Sequence, residues 1–373
     1  MKQRIKYYIT IPIIVFISII LWSSNAVRAD DPKPKNIILF IGDGMGVAHI
    51  TAAKTVKGTL FLEQFPVGGF VTTHSSFSYI TDSAAGATAL ATGFKTYNGA
   101  ISVSPAGDTL KTVLEYAEEM GKSTGLVATC SITHATPASF ASHVRYRSDN
   151  ATIAEHITES GVDVIFGGGL GFFLPASQGD SLRKDDKDLI ALLKQSRVVI
   201  TTPEEFEQLD VPDRVVGLFA LEHLPAVDQR AVSLADMTRK AIDILSKNES
   251  GFFLMVEGSQ IDWEAHDGDS DGIIAETIDF DDAVGIAIEF AKKERQTLIV
   301  VTADHETGGY ALEGGSIEMK TVTKTSFTTR GHTGVMVPLL AFGPASQRFG
   351  GIHDNTFIGE TLIQLIQLSG NTE

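Results

Sequence analysis

Cysteine is almost missing from this chain: Cys130 stands alone among 373 residues. One thiol cannot close an internal disulfide, so stability must come from packing, with bound metal as the other available staple. Cys130 sits in the apolar run 126–130, where a free cysteine is ordinarily a buried and inert side chain. Basic residues are also few, 30 Lys and Arg against 46 Asp and Glu, for a net charge of −16. That excess repels nucleic acid at long range and argues against a nucleic-acid partner. It repels small phosphate esters as well, so any site for them needs locally concentrated positive charge. Internal repeats, low-complexity tracts and proline-rich linkers are absent, and after the first 29 residues no apolar run is long enough to cross a membrane.

Those first residues stand apart. Lys2, Arg4 and Lys6 precede a nearly unbroken apolar run over residues 9–22, and Val27-Arg28-Ala29 resembles a small-residue cleavage site. This is the pattern of a secretory signal, residues 1–29; an uncleaved anchor is the competing reading, since the run falls only a little short of a span. Removal after Ala29 leaves 26 basic residues against 46 acidic, a net charge of −20. Residues 30–373 are then expected to be periplasmic or secreted, free of the membrane. Their length exceeds the usual single-domain range, but with no linker in sight they are read as a single catalytic domain.

Apolar runs of strand length alternate with helical periodicity throughout. Strands are expected at residues 36–41, 69–73, 125–129, 162–166, 215–220, 252–256, 297–301 and 335–342. Helices are expected at 109–120, 137–143, 185–194, 233–246, 273–292 and 356–368. Such alternation predicts an α/β fold, a central and mostly parallel sheet sandwiched between helices. Acids and histidines gather just after the strands: Asp43, His134 with Thr136, Glu257, and Asp304 with His305. In open α/β sheets the carboxyl ends of strands form the site, so these distant segments are predicted to converge.

Chemistry centres on residues 79–93, where Ser83 follows Asp82 and precedes Ala84, Ala85, Gly86 and Ala87. Small residues after a serine predict a helix whose positive N-terminal end holds the hydroxyl, a setting suited to phosphate. A plain helix N-cap is the bland alternative for Ser83. Asp262 and His266 are four residues apart and share a helix face, a carboxylate–imidazole pair suited to zinc, with His332 between glycines as the candidate third ligand. Asp304-His305 is a second such pair, which Asp43 could complete. Glu257 suits a harder ion such as magnesium. Two metal ions about 4 Å apart can clamp the attacking and leaving oxygens of an in-line displacement, with a serine nucleophile and a guanidinium completing the set. Arg145 and Arg147 are the candidate guanidinium groups, with Asp82 to orient whichever enters. The remaining histidines, His223 among them, are read as structural or solvated.

These residues resemble the bacterial alkaline phosphatases over essentially the whole of residues 30–373. The likeness is carried by Ile41-Gly42-Asp43-Gly44-Met45-Gly46, Asp82-Ser83-Ala84-Ala85-Gly86-Ala87-Thr88-Ala89, Ala135-Thr136-Pro137-Ala138, Val256-Glu257-Gly258-Ser259-Gln260-Ile261-Asp262 and Thr302-Ala303-Asp304-His305-Glu306-Thr307-Gly308-Gly309. The resemblance implies hydrolysis of phosphate monoesters, with Ser83 the phosphorylated nucleophile and Arg147 the phosphate-binding arginine. It implies one zinc site at Asp262, His266 and His332, a second at Asp43, Asp304 and His305 facing Ser83, and a magnesium site at Asp43, Thr136 and Glu257. A homodimer is implied too.

Two positions depart from well-studied members. His134 stands where an Asp precedes the Thr-Pro-Ala motif, and Trp263 where some members have Lys. The first weakens magnesium and opens the third position to zinc; the second removes a cation beside the phosphate. A similar His/Trp combination occurs in other bacterial alkaline phosphatases, including a cold-adapted one. The stretch between His305 and His332 is too short for an added surface domain, and residues 313–330 are expected to form an exposed loop. Neighbouring functions are a phosphodiesterase, a sulfatase and a secreted metal- or phosphate-binding protein without turnover. A serine nucleophile with an arginine for a doubly charged monoester separates the first two, and no key group is lost as the third would require.

Overall fold

The computed structural model describes residues 33–370, so the signal reading of residues 1–29 lies outside the described residues. The strands in chain order are β1 (Asn36–Gly42), β2 (Val67–Thr72), β3 (Ser123–Ser131), β4 (Val164–Gly168), β5 (Val198–Ile200), β6 (Val215–Leu218) and β7 (Phe252–Gly258). After them come β8 (Thr297–Thr302), β9 (Glu306–Thr307), β10 (Tyr310–Ser316), β11 (Thr321–Phe327), β12 (His332–Thr333), β13 (Val337–Phe342) and β14 (Gly351–Asp354). Ten of them form one sheet in the order β14-β2-β13-β8-β1-β7-β3-β4-β6-β5. Only β13 runs antiparallel to its neighbours, so the sheet is mostly parallel, as the alternation predicts.

The central strands are continuous apolar runs because both of their faces are covered. Every residue of β1 (NIILFIG), β7 (FFLMVEG) and β8 (TLIVVT) is buried. Helices Val47–Lys57, Leu234–Leu245 and Ser270–Glu294 pack together in one layer, and Ser83–Thr92, Val113–Glu119, Ala135–Ala141 and Thr356–Gly370 in another. In the middle of the sheet the order β8-β1-β7-β3 places four parallel strand ends side by side. Ile41 pairs with both Glu257 and Thr302, and Ala128 with Glu257, so these ends lie level.

Several expected boundaries move, each for a local reason. The helix expected over 109–120 starts at Val113, where Thr112 and Glu115 form a reciprocal capping box. That expected over 185–194 shrinks to Leu189–Leu193, because Arg183, with bonds of 2.7 Å to Glu155 and 2.8 Å to Asp185, ties the preceding residues into a loop. Glu257, expected after its strand, lies within β7.

The expected loop at 313–330 is instead the β10–β11 hairpin. Tyr310 stacks on Phe327 at 4.9 Å, and Leu312, Val322 and Phe327 cover a small apolar cluster that includes Ala52, Ala265 and Ile273. The β-branched run Thr321-Val322-Thr323 favours strand, and one half-buried apolar face suffices to fix it. At the hairpin's base β9 pairs with β12, with His332 opposite Thr307. That pairing carries His332 back to the strand-end residues.

The helix Ser83–Thr92 lies so close to the end of β8 that a Cβ at Gly86 would stand 2.9 Å from the Asp304 carbonyl oxygen. Alanine would favour this helix by about 1 kcal/mol on propensity alone. The backbone contact should outweigh that gain, so Gly86→Ala is expected to destabilise the protein by about 1–2 kcal/mol net. Urea unfolding measures it, and a stabilised variant would contradict this packing.

Candidate active site

Asp43 follows β1 in the tight turn of Gly44, whose φ is +70°, and Asp304 and His305 follow β8. Asp304 Oδ1 accepts the backbone N–H groups of Gly44 (3.2 Å) and His305 (3.0 Å), which fixes the carboxylate. Its Oδ2 lies 3.2 Å from His305 Nε2, Asp43 Oδ1 lies 3.5 Å from the same nitrogen, and Ser83 Oγ lies 3.3 Å from it. Asp82, not Ser83, caps the helix: its Oδ1 accepts the Ala85 N–H at 3.0 Å. The Ser83 hydroxyl, 2% exposed, is thereby left to face His305.

Asp262 and His266 share one turn of the helix Gln260–Asp267, and β12 brings His332 to them. His266 Nε2 lies 3.3 Å from Asp262 Oδ2 and 3.2 Å from His332 Nε2, and His332 Nε2 lies 3.6 Å from Asp262 Oδ1. His332 Nδ1 donates to the Thr81 carbonyl at 2.9 Å and His266 Nδ1 to the Arg330 carbonyl. His305 Nδ1 lies 3.2 Å from Thr307 Oγ1, which itself donates to Asp262 and so accepts from the ring. Each Nδ1 is therefore a donor, so Nε2 is the nitrogen that offers a lone pair to the site whenever a ring is neutral. Rings His305 and His332 stack at 3.5 Å, so the two groups are immediate neighbours.

A third group lies beyond Asp43. Cys130, His134 and Glu257 place ligand atoms within 4.8 Å of one another, with Cys130 Sγ 3.3 Å from Glu257 Oε2. Thr136, in the helix Ala135–Ala141, is fully buried here. Arg147 reaches the same region: Nη1 donates to Asp82 Oδ2 at 3.1 Å and Nη2 to His134 Nε2 at 3.0 Å. Arg145 instead turns to the Ala106 carbonyl near the surface, so Arg147 is the arginine at the site. Trp263 packs edge-on to His134 at 6.0 Å and to His223 at 4.6 Å. His223, read from sequence as structural or solvated, accepts the Ser131 N–H at 3.0 Å and forms part of this wall. Cys130 also stood outside the expected ligands; its place at the end of β3, beside His134, was the signal available for it.

Charge decides what this arrangement can hold. Asp43, Glu257 and Asp304 have no exposed surface, and Asp262 has 5%. Burial, reinforced by neighbouring carboxylates, raises Asp43 well above the usual range, Asp304 to about 6 and Glu257 to about 7. Burial and the neighbouring His332 lower His305 to about 3, so that ring cannot supply the missing positive charge. Asp262 resists its own burial because His266 hydrogen-bonds to it, and that bond holds His266 up at about 9. Among the described residues, both Asp43 oxygens, Glu257 Oε1, Asp304 Oδ2 and Thr136 Oγ1 are buried without a protein hydrogen-bond partner. Such groups are stable where cations bind. Donors about 2.0–2.1 Å from one tetrahedral zinc stand roughly 3.3–3.4 Å apart, close to the separations at Asp262, His266 and His332. The residues fit bound metal.

Comparison with known proteins places these residues in context. The sequence profile of the family described as alkaline phosphatase matches residues 34–325. Alkaline phosphatase 3 of Bacillus subtilis (strain 168) is 37% identical, the match covering 91% of this chain and 90% of that protein. The alkaline phosphatase structure from the Antarctic bacterium TAB5 superposes with a TM-score of 0.84 at 40% identity, over 90% of this chain and 99% of that one. A TAB5 variant with a His-to-Asp substitution, described as having Mg bound in its M3 site, superposes with a TM-score of 0.84 at 39% identity, over 90% of this chain and 99% of that one.

Metal removal should make stability depend on pH with a definite sign. In the chelated protein Asp43, Asp304 and Glu257 keep protons that the unfolded chain has released above about pH 4, so stability falls as pH rises through about 6 and 7. His266 adds stability below the unfolded histidine value of about 6.5 and loses it as pH rises through about 9. Asp262 works the other way, but only below about pH 4. Bound cations replace these protons. The Tm gap between metal-loaded and chelated protein is therefore expected to widen from pH 5 to pH 9, by on the order of 5–10 °C. A gap that is flat in pH would remove carboxylate repulsion from this account.

Proposed function

The chain belongs to the alkaline phosphatase family of phosphomonoester hydrolases, and we propose that its turnover runs through a covalent phosphoserine at Ser83. The carrying observation is the buried Ser83 hydroxyl, freed from capping by Asp82 and 3.3 Å from His305 Nε2. Asp262, His266 and His332 hold one zinc ion, and Asp43, Asp304 and His305 hold a second beside Ser83. Asp43, Thr136 and Glu257 hold a magnesium ion, at a position that zinc can also take given His134. When bound, such ions supply the Lewis-acid charge that lets a serine or water oxygen ionise near neutral pH.

Ser83 Oγ attacks phosphorus as the ester P–O bond opposite breaks, and the alcohol leaves carrying the serine proton. Water then attacks the phosphoserine, the P–Oγ bond breaks, and inorganic phosphate departs as Ser83 regains its proton. Arg147 grips the non-bridging oxygens of the phosphoryl group, and Asp82 and His134 fix its guanidinium from two sides. The positive end of the helix Ser83–Thr92 adds to that charge. Trp263 offers no cation, so product phosphate is held less tightly. Export through residues 1–29 and assembly as a homodimer complete the reading, with a broad range of small phosphate monoesters as substrates.

Hydrolysis of p-nitrophenyl phosphate, its bis-ester and its sulfate, before and after chelation and with zinc and magnesium restored, tests the reaction class. Monoester turnover lost on chelation and regained with metal is expected; dominant diester or sulfate turnover would overturn the assignment. Ser83→Ala should lower turnover by on the order of 10³-fold or more while leaving the fold intact. A near-normal rate in that variant would remove Ser83 from the nucleophile role.

His134→Asp puts an oxygen donor beside the third pocket, and a His-to-Asp substitution is also what the TAB5 variant described as having Mg bound in its M3 site carries. It should lower the magnesium concentration for half-maximal activity by about 10-fold or more. An unchanged magnesium titration would separate His134 from that pocket.

A further inference from the structure

The residues around Cys130 do not resemble the nest of an inert thiol. Its Sγ lies 3.3 Å from Glu257 Oε2 and 3.2 Å from the Ser131 carbonyl oxygen. The backbone is pinned in place, with the Cys130 N–H donated to Ser259 Oγ at 3.1 Å and the Thr129 carbonyl accepting from Gln260 Nε2 at 2.9 Å. The sulfur is therefore held against a carboxylate at the end of β3, where metal-binding oxygens converge.

Independent observations call for a ligand in the same place. Glu257 and Thr136 have no exposed surface, and Glu257 Oε1 and Thr136 Oγ1 have no protein hydrogen-bond partner among the described residues. Leaving such atoms unsatisfied is costly unless a ligand meets them.

We propose that the Cys130 thiolate is a ligand of the third metal pocket, giving that pocket a soft, zinc-selecting donor set in place of an all-oxygen one. The proposal deepens the reading of that pocket given above and rests on it. Sulfur at about 2.3 Å and oxygen at about 2.0 Å from one tetrahedral zinc stand roughly 3.5 Å apart, close to the Cys130–Glu257 separation. Magnesium prefers oxygen and leaves a thiolate unused, whereas zinc and cobalt accept it. Binding exchanges one proton for the cation: the S–H bond breaks, a sulfur–metal bond forms, and the proton passes by way of Glu257 Oε2 to solvent. A neutral His134 has one lone pair, and Nε2 spends it on Arg147. Cys130 and Glu257 therefore carry the site in the arrangement seen here, and ligation by His134 Nδ1 would require that contact to open.

The test uses the full chain, chelated and then titrated with cobalt(II) to saturation. Because Cys130 is the only cysteine, a sulfur-to-cobalt charge-transfer band in the near ultraviolet can have one source. The band should grow to one thiolate per chain and be absent from Cys130→Ser. In a separate arm, loaded with zinc and then exchanged into excess magnesium, the native chain should retain one more zinc ion than that variant. A cobalt-saturated native chain with no such band overturns the proposal. Hydrolysis of p-nitrophenyl phosphate by the same protein, after cobalt is exchanged for zinc and magnesium, shows which reading has failed: with turnover only the sulfur ligand falls, and without it the phosphatase reading falls as well.

Discussion

Four carboxylates gathered at one dry sheet edge are the constraint on which the rest of the structure depends. Asp43, Glu257, Asp262 and Asp304 could not all be ionised in that volume without compensating charge, and the nearby His305 and His134 are held neutral by burial. Cations resolve the conflict, and the fold supplies what holding them requires. Parallel strands β8, β1 and β7 end nearly level beside β3, short turns aim the side chains, and carbonyl and hydroxyl acceptors fix the histidine tautomers. With cations held there, a chain of large negative charge could offer local positive charge to an anionic ester.

The hairpin between His305 and His332 shows how the fold closes this arrangement. Asp262 and His266 sit on a helix following β7, and His305 follows β8. His332 reaches them only because β9 and β12 pair at the hairpin's base, with Tyr310 and Phe327 stacked above it. The stacking of His305 on His332 joins two ligand groups through a shared wall. A surface element of modest apolar content thus positions a ligand by register.

Much of this was legible in the sequence because the signals were local. Strands buried on both faces read as unbroken apolar runs, Asp262 and His266 share a face by spacing alone, and the small residues after Ser83 mark a tightly packed helix. What escaped depended on neighbours remote in sequence. Arg145 and Arg147 are indistinguishable until one turns to the surface and the other meets Asp82 and His134. Residues 313–330 are polar enough to read as loop until an apolar cluster beneath them is known. Cys130 and His223 read by their usual behaviour as a buried thiol and a structural or solvated imidazole, and nothing within a few residues of either reveals Glu257 or Trp263.

His134 ties these parts together by a simple limit on imidazole chemistry. A neutral ring has one nitrogen able to accept and one able to donate. In the arrangement described, Nε2 accepts from Arg147, the guanidinium that also donates to Asp82. Using Nδ1 as a metal ligand would put the proton on Nε2, where it would face the donors of Arg147 instead of accepting from them. The ring can therefore steady Arg147 or bind a third cation, but it cannot do both in its neutral form. An aspartate at this position, with two acceptor oxygens, would escape that limit. Histidine makes the posture of Arg147 and the occupant of the third pocket interdependent, and the polar contacts of Cys130 place a second, softer donor on the metal's side of that balance.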